Sequence, residues 1–129
     1  MSRRTRRYMA RQQVKLDAAF LRAYRDDARA AQGNHCDYCR DHISAGTATA
    51  DHVEPKASFG KDHRNNIVAA CGPCNRAKGH MPAAKFRRMI EEPRAGEPLV
   101  FRCINMRLRI NRRLELMEKR IARATAIAA

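Results

Sequence analysis

The sequence predicts a small α+β domain: a short β-containing middle pinned by a metal site, with basic helices on both sides. Three observations carry this. Two C-x-x-C pairs, Cys36/Cys39 and Cys71/Cys74, bracket the middle of the chain. Between them, residues 47–53 alternate Thr and Val with Ala and Asp, as a half-buried strand does. Outside them, apolar residues recur at helical spacing in segments rich in Arg and Ala.

Taken in order, residues 6–31 contain no Pro or Gly and place Leu16, Phe20, Ala23 and Tyr24 at helical spacing, so an amphipathic helix is expected there. Gly33-Asn34 ends it. Residues 34–46 form a knuckle-like loop around the first Cys pair, and 47–53 the first strand. Residues 55–66 are polar, with Pro, Gly and Asn, and make a long loop. "NIVAAC" at 66–71 is a second short strand or an extended entry into a helix. A helix runs from about Pro73 to Lys78, where Gly79 stops it. Pro82 opens another, with Phe86, Met89 and Ile90 on one face. "PRAGEP" at 93–98 links to a long basic helix over 99–127, with Val100, Ile104, Leu108, Leu114, Met117 and Ile121 as packing candidates. The chain thus divides into a basic N-terminal helix (1–33), a core (34–80) and a helical basic extension (81–129), all in one domain of ordinary size for 129 residues. A chain of this length buries about two thirds of its unfolded surface, so a metal staple adds materially to a modest core.

The formal net charge is +14, from 27 Lys and Arg against 13 Asp and Glu. The excess is uneven. Residues 1–31 hold nine basic and three acidic groups, and 99–129 hold eight and two, while the middle holds ten and eight. Arginine dominates, and its planar fork matches phosphate oxygens. This is the footprint of a nucleic-acid partner. An anionic membrane surface is the competing partner, but neither flank joins its charge to bulky interfacial aromatics. The sequence has no run of 18 apolar residues to span a membrane, and no apolar stretch follows the N-terminal arginines as in a secretory signal. A cytoplasmic protein, bacterial or phage-encoded, is expected.

Two residues between thiolates let a tight turn aim both sulfurs at one ion, and two such turns supply the four tetrahedral ligands of a structural Zn²⁺. The gap between the pairs holds 31 residues, more than the roughly 15–20 of a simple zinc ribbon. Doubling a loop adds only about 0.6 kcal/mol of closure entropy, against roughly 10–16 kcal/mol of apparent zinc binding. Disulfides are the alternative, disfavoured by C-x-x-C spacing without an export signal. His35 and His42 flank the first pair and are alternative ligands. Cys103, on the last helix, reads as a small packing residue.

Between and after the pairs the order is C-x2-C, D-H-V-x-P (Asp51, His52, Pro55), S-x-G (Ser58, Gly60), N-I (Asn66, Ile67), then C-x2-C-N-x2-K-G (Asn75, Lys78). This resembles the HNH endonucleases, specifically their zinc-stapled branch, over roughly residues 34–80. His52 to Asn66 spans 14 positions and Asn66 to Asn75 spans 9, both typical of that family. Two departures stand out: the loop "SFGKD" has one glycine where relatives often have two, and the last motif position is Asn75 rather than His. The resemblance implies a ββα-metal (HNH, or His-Me finger) core, in which a two-stranded hairpin and a helix grip one divalent cation. It also implies that Asn66 holds the loop after His52; Asn65 is the alternative motif asparagine.

The residues suit phosphodiester hydrolysis on their own chemistry. Imidazole titrates near neutral pH, so His52 is the natural general base. Asp51 projects from the opposite face of the strand and is free to meet a cation with the amide oxygen of Asn75, hard ligands suited to Mg²⁺ or Mn²⁺. Arg76 and Lys78, with Arg3, Arg4, Arg6 and Arg7, are the expected phosphate contacts. The expectation is a DNA endonuclease acting on double-stranded DNA. A catalytically silent zinc-stapled binding module is the alternative, as is a phage packaging accessory subunit. A homodimer through the C-terminal helix and membership of a phage or restriction complex stay open, as does sequence preference, because phosphate contacts carry no sequence information.

Overall fold

The structure, a computed structural model, describes residues 1–56 and 60–128; Ser58 of the loop motif lies outside them. Helix α1 (Arg3–Ala31) starts earlier than the sequence suggests, because Ser2 caps it by accepting the Thr5 amide at 3.1 Å. It ends at Gly33 and Asn34, both at positive φ, where Asn34 N–H returns to the Arg29 carbonyl at 2.9 Å. Strands β1 (Ala48–His52) and β2 (Ile67–Cys71) pair antiparallel, with Asp51 opposite Val68 and His52 opposite Ile67. A 3₁₀ turn, Arg64–Asn66, leads into β2. Helix α2 (Gly72–Lys78) follows without a loop, Cys71 serving as its N-cap, and Gly79 leaves it at φ +54°. Helices α3 (Ala83–Glu91) and α4 (Leu99–Ala128) complete the fold.

The packed end of α1 closes the free edge of β2 through one side chain. Gln32 donates to the Ala69 carbonyl at 2.8 Å and accepts the Ala69 amide at 3.0 Å. Its amide thus takes the place of a third strand, satisfying an edge that would otherwise pair with another chain. The core beneath the sheet gathers Tyr38, Ile43, Ala69, Phe86, Ile90, Phe101 and Ile104 around the four paired cysteines. Phe86 stands edge-on to Tyr38 with ring centroids 5.0 Å apart.

The long flanking helices differ from the sequence expectation. In α1 no residue is buried, and Leu16 and Phe20 are exposed. In α4 the buried stripe is Phe101, Ile104, Asn105 and Leu108; of the expected positions only Ile104 and Leu108 belong to it, while Val100, Leu114, Met117 and Ile121 are exposed. The core is shorter than the helix, so apolar spacing beyond about residue 111 continues over solvent. Cys103 is exposed rather than packed, since two residues from Phe101 turn it about 200° away from the buried face.

Candidate active site

The hairpin and α2 form a cleft of about 170 Å³ lined by Asp51, His52, Lys56, Asn75, Lys78 and His80, among others. Three of the four expected catalytic residues therefore meet, brought together by β1 and by α2 starting directly after β2. The fourth, Asn66, braces the loop. Its Oδ1 accepts the Glu54 amide at 2.8 Å, and its Nδ2 donates to the Glu54 and Lys61 carbonyls, both at 3.0 Å. Among the described residues Asn65 has no comparable span; its backbone amide meets His63 Nδ1 at 3.2 Å.

His52 is half-buried, and its Nε2 lies 2.7 Å from Asp62 Oδ1. Lys56 Nζ holds the other oxygen of Asp62 at 3.1 Å. Asp62 was not singled out in the sequence, and it arrives by a turn that only glycine permits: a Cβ on Gly60 would lie 1.8 Å from the Glu54 carbonyl oxygen. The single glycine of "SFGKD" is this residue. The hydrogen bond to His52 holds the Asp62 carboxyl below its usual value, with Lys56 adding to the effect. A depressed carboxylate stabilises the fold above its unfolded pKa, so this tie is complete at neutral pH and is lost only as pH falls through the lowered value. In the tautomer that gives Nε2–H to the Asp62 carboxylate, the lone pair lies on Nδ1.

Asp51 is 3% exposed and has a partner on each oxygen. Tyr38 donates its phenol O–H to Oδ2, and Lys78 Nζ donates to Oδ1 at 3.1 Å and to the His52 carbonyl at 2.8 Å. Burial, reinforced by the Asp51 hydrogen bond, pushes the Tyr38 phenol well above its ordinary pKa, so it stays a donor. Lys78 is itself 3% exposed. This corrects the surface phosphate role read from the sequence: its ammonium is committed to a buried carboxylate, which without a counter-charge would be strongly destabilising. Removing only the hydroxyl, in Tyr38→Phe, leaves a buried acceptor short of a donor and is expected to lower stability by about 1–3 kcal/mol; a thermal melt beside wild type checks this.

Asn75 is half-buried and donates Nδ2–H to Thr49 Oγ1 at 3.0 Å. Among the described residues its Oδ1 takes no hydrogen bond, which leaves a carbonyl oxygen available beside Asp51. Arg76 is exposed next to it. Arg3, Arg4, Arg6 and Arg7 are not gathered here: they lie at the far end of α1, about 30 Å along its axis from the packed residues near Ala28.

The four cysteine sulfurs all lie within 4.8 Å of one another and are buried. Cys39 Sγ and Cys71 Sγ are 3.7 Å apart, far beyond a disulfide bond of about 2.05 Å and close to the ~3.8 Å edge of a tetrahedron built on 2.3 Å metal–sulfur bonds. Backbone amides of Tyr38 and Cys71 reach Cys36 Sγ at 3.4 Å. Hydrogen bonds from Cys39, Cys71 and Cys74 drive the Cys36 thiol far down, while Cys36 drives Cys74 and Cys39 up. The sulfurs compete for shared protons, a conflict that one divalent cation would resolve. The donor set and its spacing fit a metal ion. His35 and His42 are outside this cluster and exposed; their rings meet edge-on instead.

Residues 36–91 match the family model described as HNH endonuclease. That segment is similar to the HNH endonucleases. The CRISPR-associated endonuclease Cas9 of Actinomyces naeslundii is 38% identical to this chain over 71 residues, 54% of this chain but 6% of that protein. Its counterpart from Corynebacterium diphtheriae is 39% identical over 54 residues, 41% of this chain and 5% of that protein. The chain thus spans about a twentieth of the length of these relatives. The crystal structure of the Type II-C Cas9 enzyme from A. naeslundii superposes with a TM-score of 0.50 at 23% identity, covering 81% of this chain and 15% of that one, which supports the HNH-type fold. The α4 helix lies beyond the HNH segment. Among the described residues, no helix is long and apolar enough to cross a membrane.

Proposed function

We propose that this chain is a metal-dependent endonuclease that hydrolyses DNA phosphodiester bonds, with His52 as general base. The observation that carries it is the meeting of Asp51, His52 and Asn75 in one cleft of an HNH fold. His52 presents Nδ1 for the proton of the attacking water. Asp62, on Nε2, fixes the tautomer and offsets the imidazolium that forms, as a carboxylate does for a catalytic histidine. Arg76 meets a phosphate oxygen with its guanidinium. The strongly basic flanks favour DNA, and long duplex DNA above all, by releasing its counterions.

Asp51 and the free Oδ1 of Asn75 would hold Mg²⁺ or Mn²⁺, which when bound supplies charge neutralisation at the scissile phosphate and its leaving oxygen. Lys78 then acts as a buried neighbour that holds Asp51 in place through the contact to its Oδ1. The Cys36, Cys39, Cys71 and Cys74 set would hold Zn²⁺, whose role is to staple the knuckle to the start of α2. The test is incubation with supercoiled plasmid and Mg²⁺ or Mn²⁺: nicked or linear product is expected, and none with EDTA. Absence of product in all arms would favour a silent binding module, the reading supported by Lys78 and Tyr38 already engaging both Asp51 oxygens.

Asp62→Asn keeps the shape and removes the charge that orients His52. A charge-assisted hydrogen bond contributes about 1.5–3 kcal/mol, so kcat is expected to fall roughly 10–150-fold with KM little changed. A fall in DNA affinity at constant kcat would show that Asp62 serves binding instead.

A further inference from the structure

We propose that α4, outside the HNH segment, completes the metal site, so that metal retention and docking of this basic helix form one equilibrium. The inference rests on the zinc reading of the four cysteines given above. Arg107 Nη1 lies 3.8 Å from Cys39 Sγ and 3.9 Å from Cys71 Sγ, one sulfur from each pair. The same nitrogen lies 3.4 Å from Asp41 Oδ2. One turn on, Asn111 Nδ2 donates to the Cys39 carbonyl at 3.1 Å and to Asp41 Oδ1 at 3.0 Å. Asp41 in turn gives its carbonyl to the Cys36 amide at 2.7 Å. The contact is therefore built from both sides: two α4 side chains grip the knuckle that carries the first cysteine pair.

The chemistry gives this contact a direction. Four thiolates around one Zn²⁺ carry two net negative charges. A guanidinium donating to two of those sulfurs neutralises part of that charge and keeps the sulfurs from being drawn off by protons. Partners of this kind typically alter metal affinity by about 10–100-fold. The converse follows by linkage: metal loss weakens the anionic partner of Arg107 and must loosen α4 by the same factor. The apolar anchor of α4 is only Phe101, Ile104 and Leu108, so the polar grip at 107 and 111 is a substantial part of what holds the helix. A metal-depleted molecule would then present its C-terminal basic helix in a different place relative to the cleft.

The test uses the full-length chain. Zinc is first measured in purified wild type: a stoichiometry near one supports the zinc reading, and its absence overturns that reading separately from this proposal. Zinc release is then followed with excess chromogenic chelator for wild type, Arg107→Met and Arg107→Lys, each checked for unchanged helicity by far-UV circular dichroism. Arg107→Met is expected to release zinc at least about tenfold faster, with Arg107→Lys between it and wild type. Amide hydrogen exchange over residues 104–112 of wild type should quicken on metal removal. Equal release rates in all three proteins, or α4 exchange unaffected by the metal, would overturn the proposal; should Arg107→Met lose helicity, Arg107→Lys and the wild-type exchange experiment decide it.

Discussion

Replacing Cys71 by serine is expected to unfold the core and release its metal at room temperature. Cys71 does three jobs at once. It ends β2, caps α2 and contributes a sulfur to the tetrad. The rest of the core cannot replace the site. Of the seven largest fully buried side chains, three are Cys36, Cys39 and Cys74, leaving Phe86 and three isoleucines. Structural zinc supplies roughly 10–16 kcal/mol of apparent binding energy, whereas whole domains are stable by about 5–15 kcal/mol. Loss of one ligand in four therefore removes more than the domain can spare. Metal content by atomic emission and the dispersion of amide NMR signals read the two consequences together. A Cys71→Ser protein with full metal content and an unchanged melt would refute the staple.

The second large effect is catalytic. His52→Ala is expected to slow plasmid cleavage by about 10²–10⁴-fold, the usual contribution of a general base, while leaving the fold in place. His52 is half-buried at the end of β1, and among the described residues its ring takes part in one tie, to Asp62. Its backbone carbonyl, which receives Lys78 Nζ, survives the substitution. Stability and metal content should thus stay near wild type, which separates this variant from Cys71→Ser. DNA affinity, if it resides in the basic flanks as proposed, should change little.

How much of this was legible in the sequence depended on the range of the interactions involved. The cysteine pairs declared themselves because ligand geometry fixes their spacing locally, and so did β1 and α2, bounded by turn residues at Gly72-Pro73 and Gly79. The segment at 66–71 stayed open between a strand and an extended entry into a helix, and only its pairing with β1 decides it. Asn75 was singled out through the family resemblance, one position after Cys74, and it lines the cleft with Asp51 and His52. Asp62 was not, since its meeting with His52 depends on the close turn at Gly60 across ten residues. Lys78 was misread because a lysine beside a basic run is normally solvated, and only the inward aim of Asp51 makes its burial favourable. The α4 stripe was misplaced because helical periodicity tells which residues share a face and not where the core stops. Asn105, a polar member of the buried stripe, finds its donors' partners in the Ile90 and Glu91 carbonyls at the end of α3, a contact no periodicity reveals.

The most direct single measurement is the initial rate of supercoiled-plasmid nicking in Mg²⁺ by wild type and His52→Ala, run side by side at matched metal content with an EDTA arm. A wild-type rate at least about a hundredfold above the variant, abolished by EDTA, is the result expected of a metal-dependent nuclease working through His52. Equal rates in the two proteins, or a wild-type rate indifferent to EDTA, would contradict it.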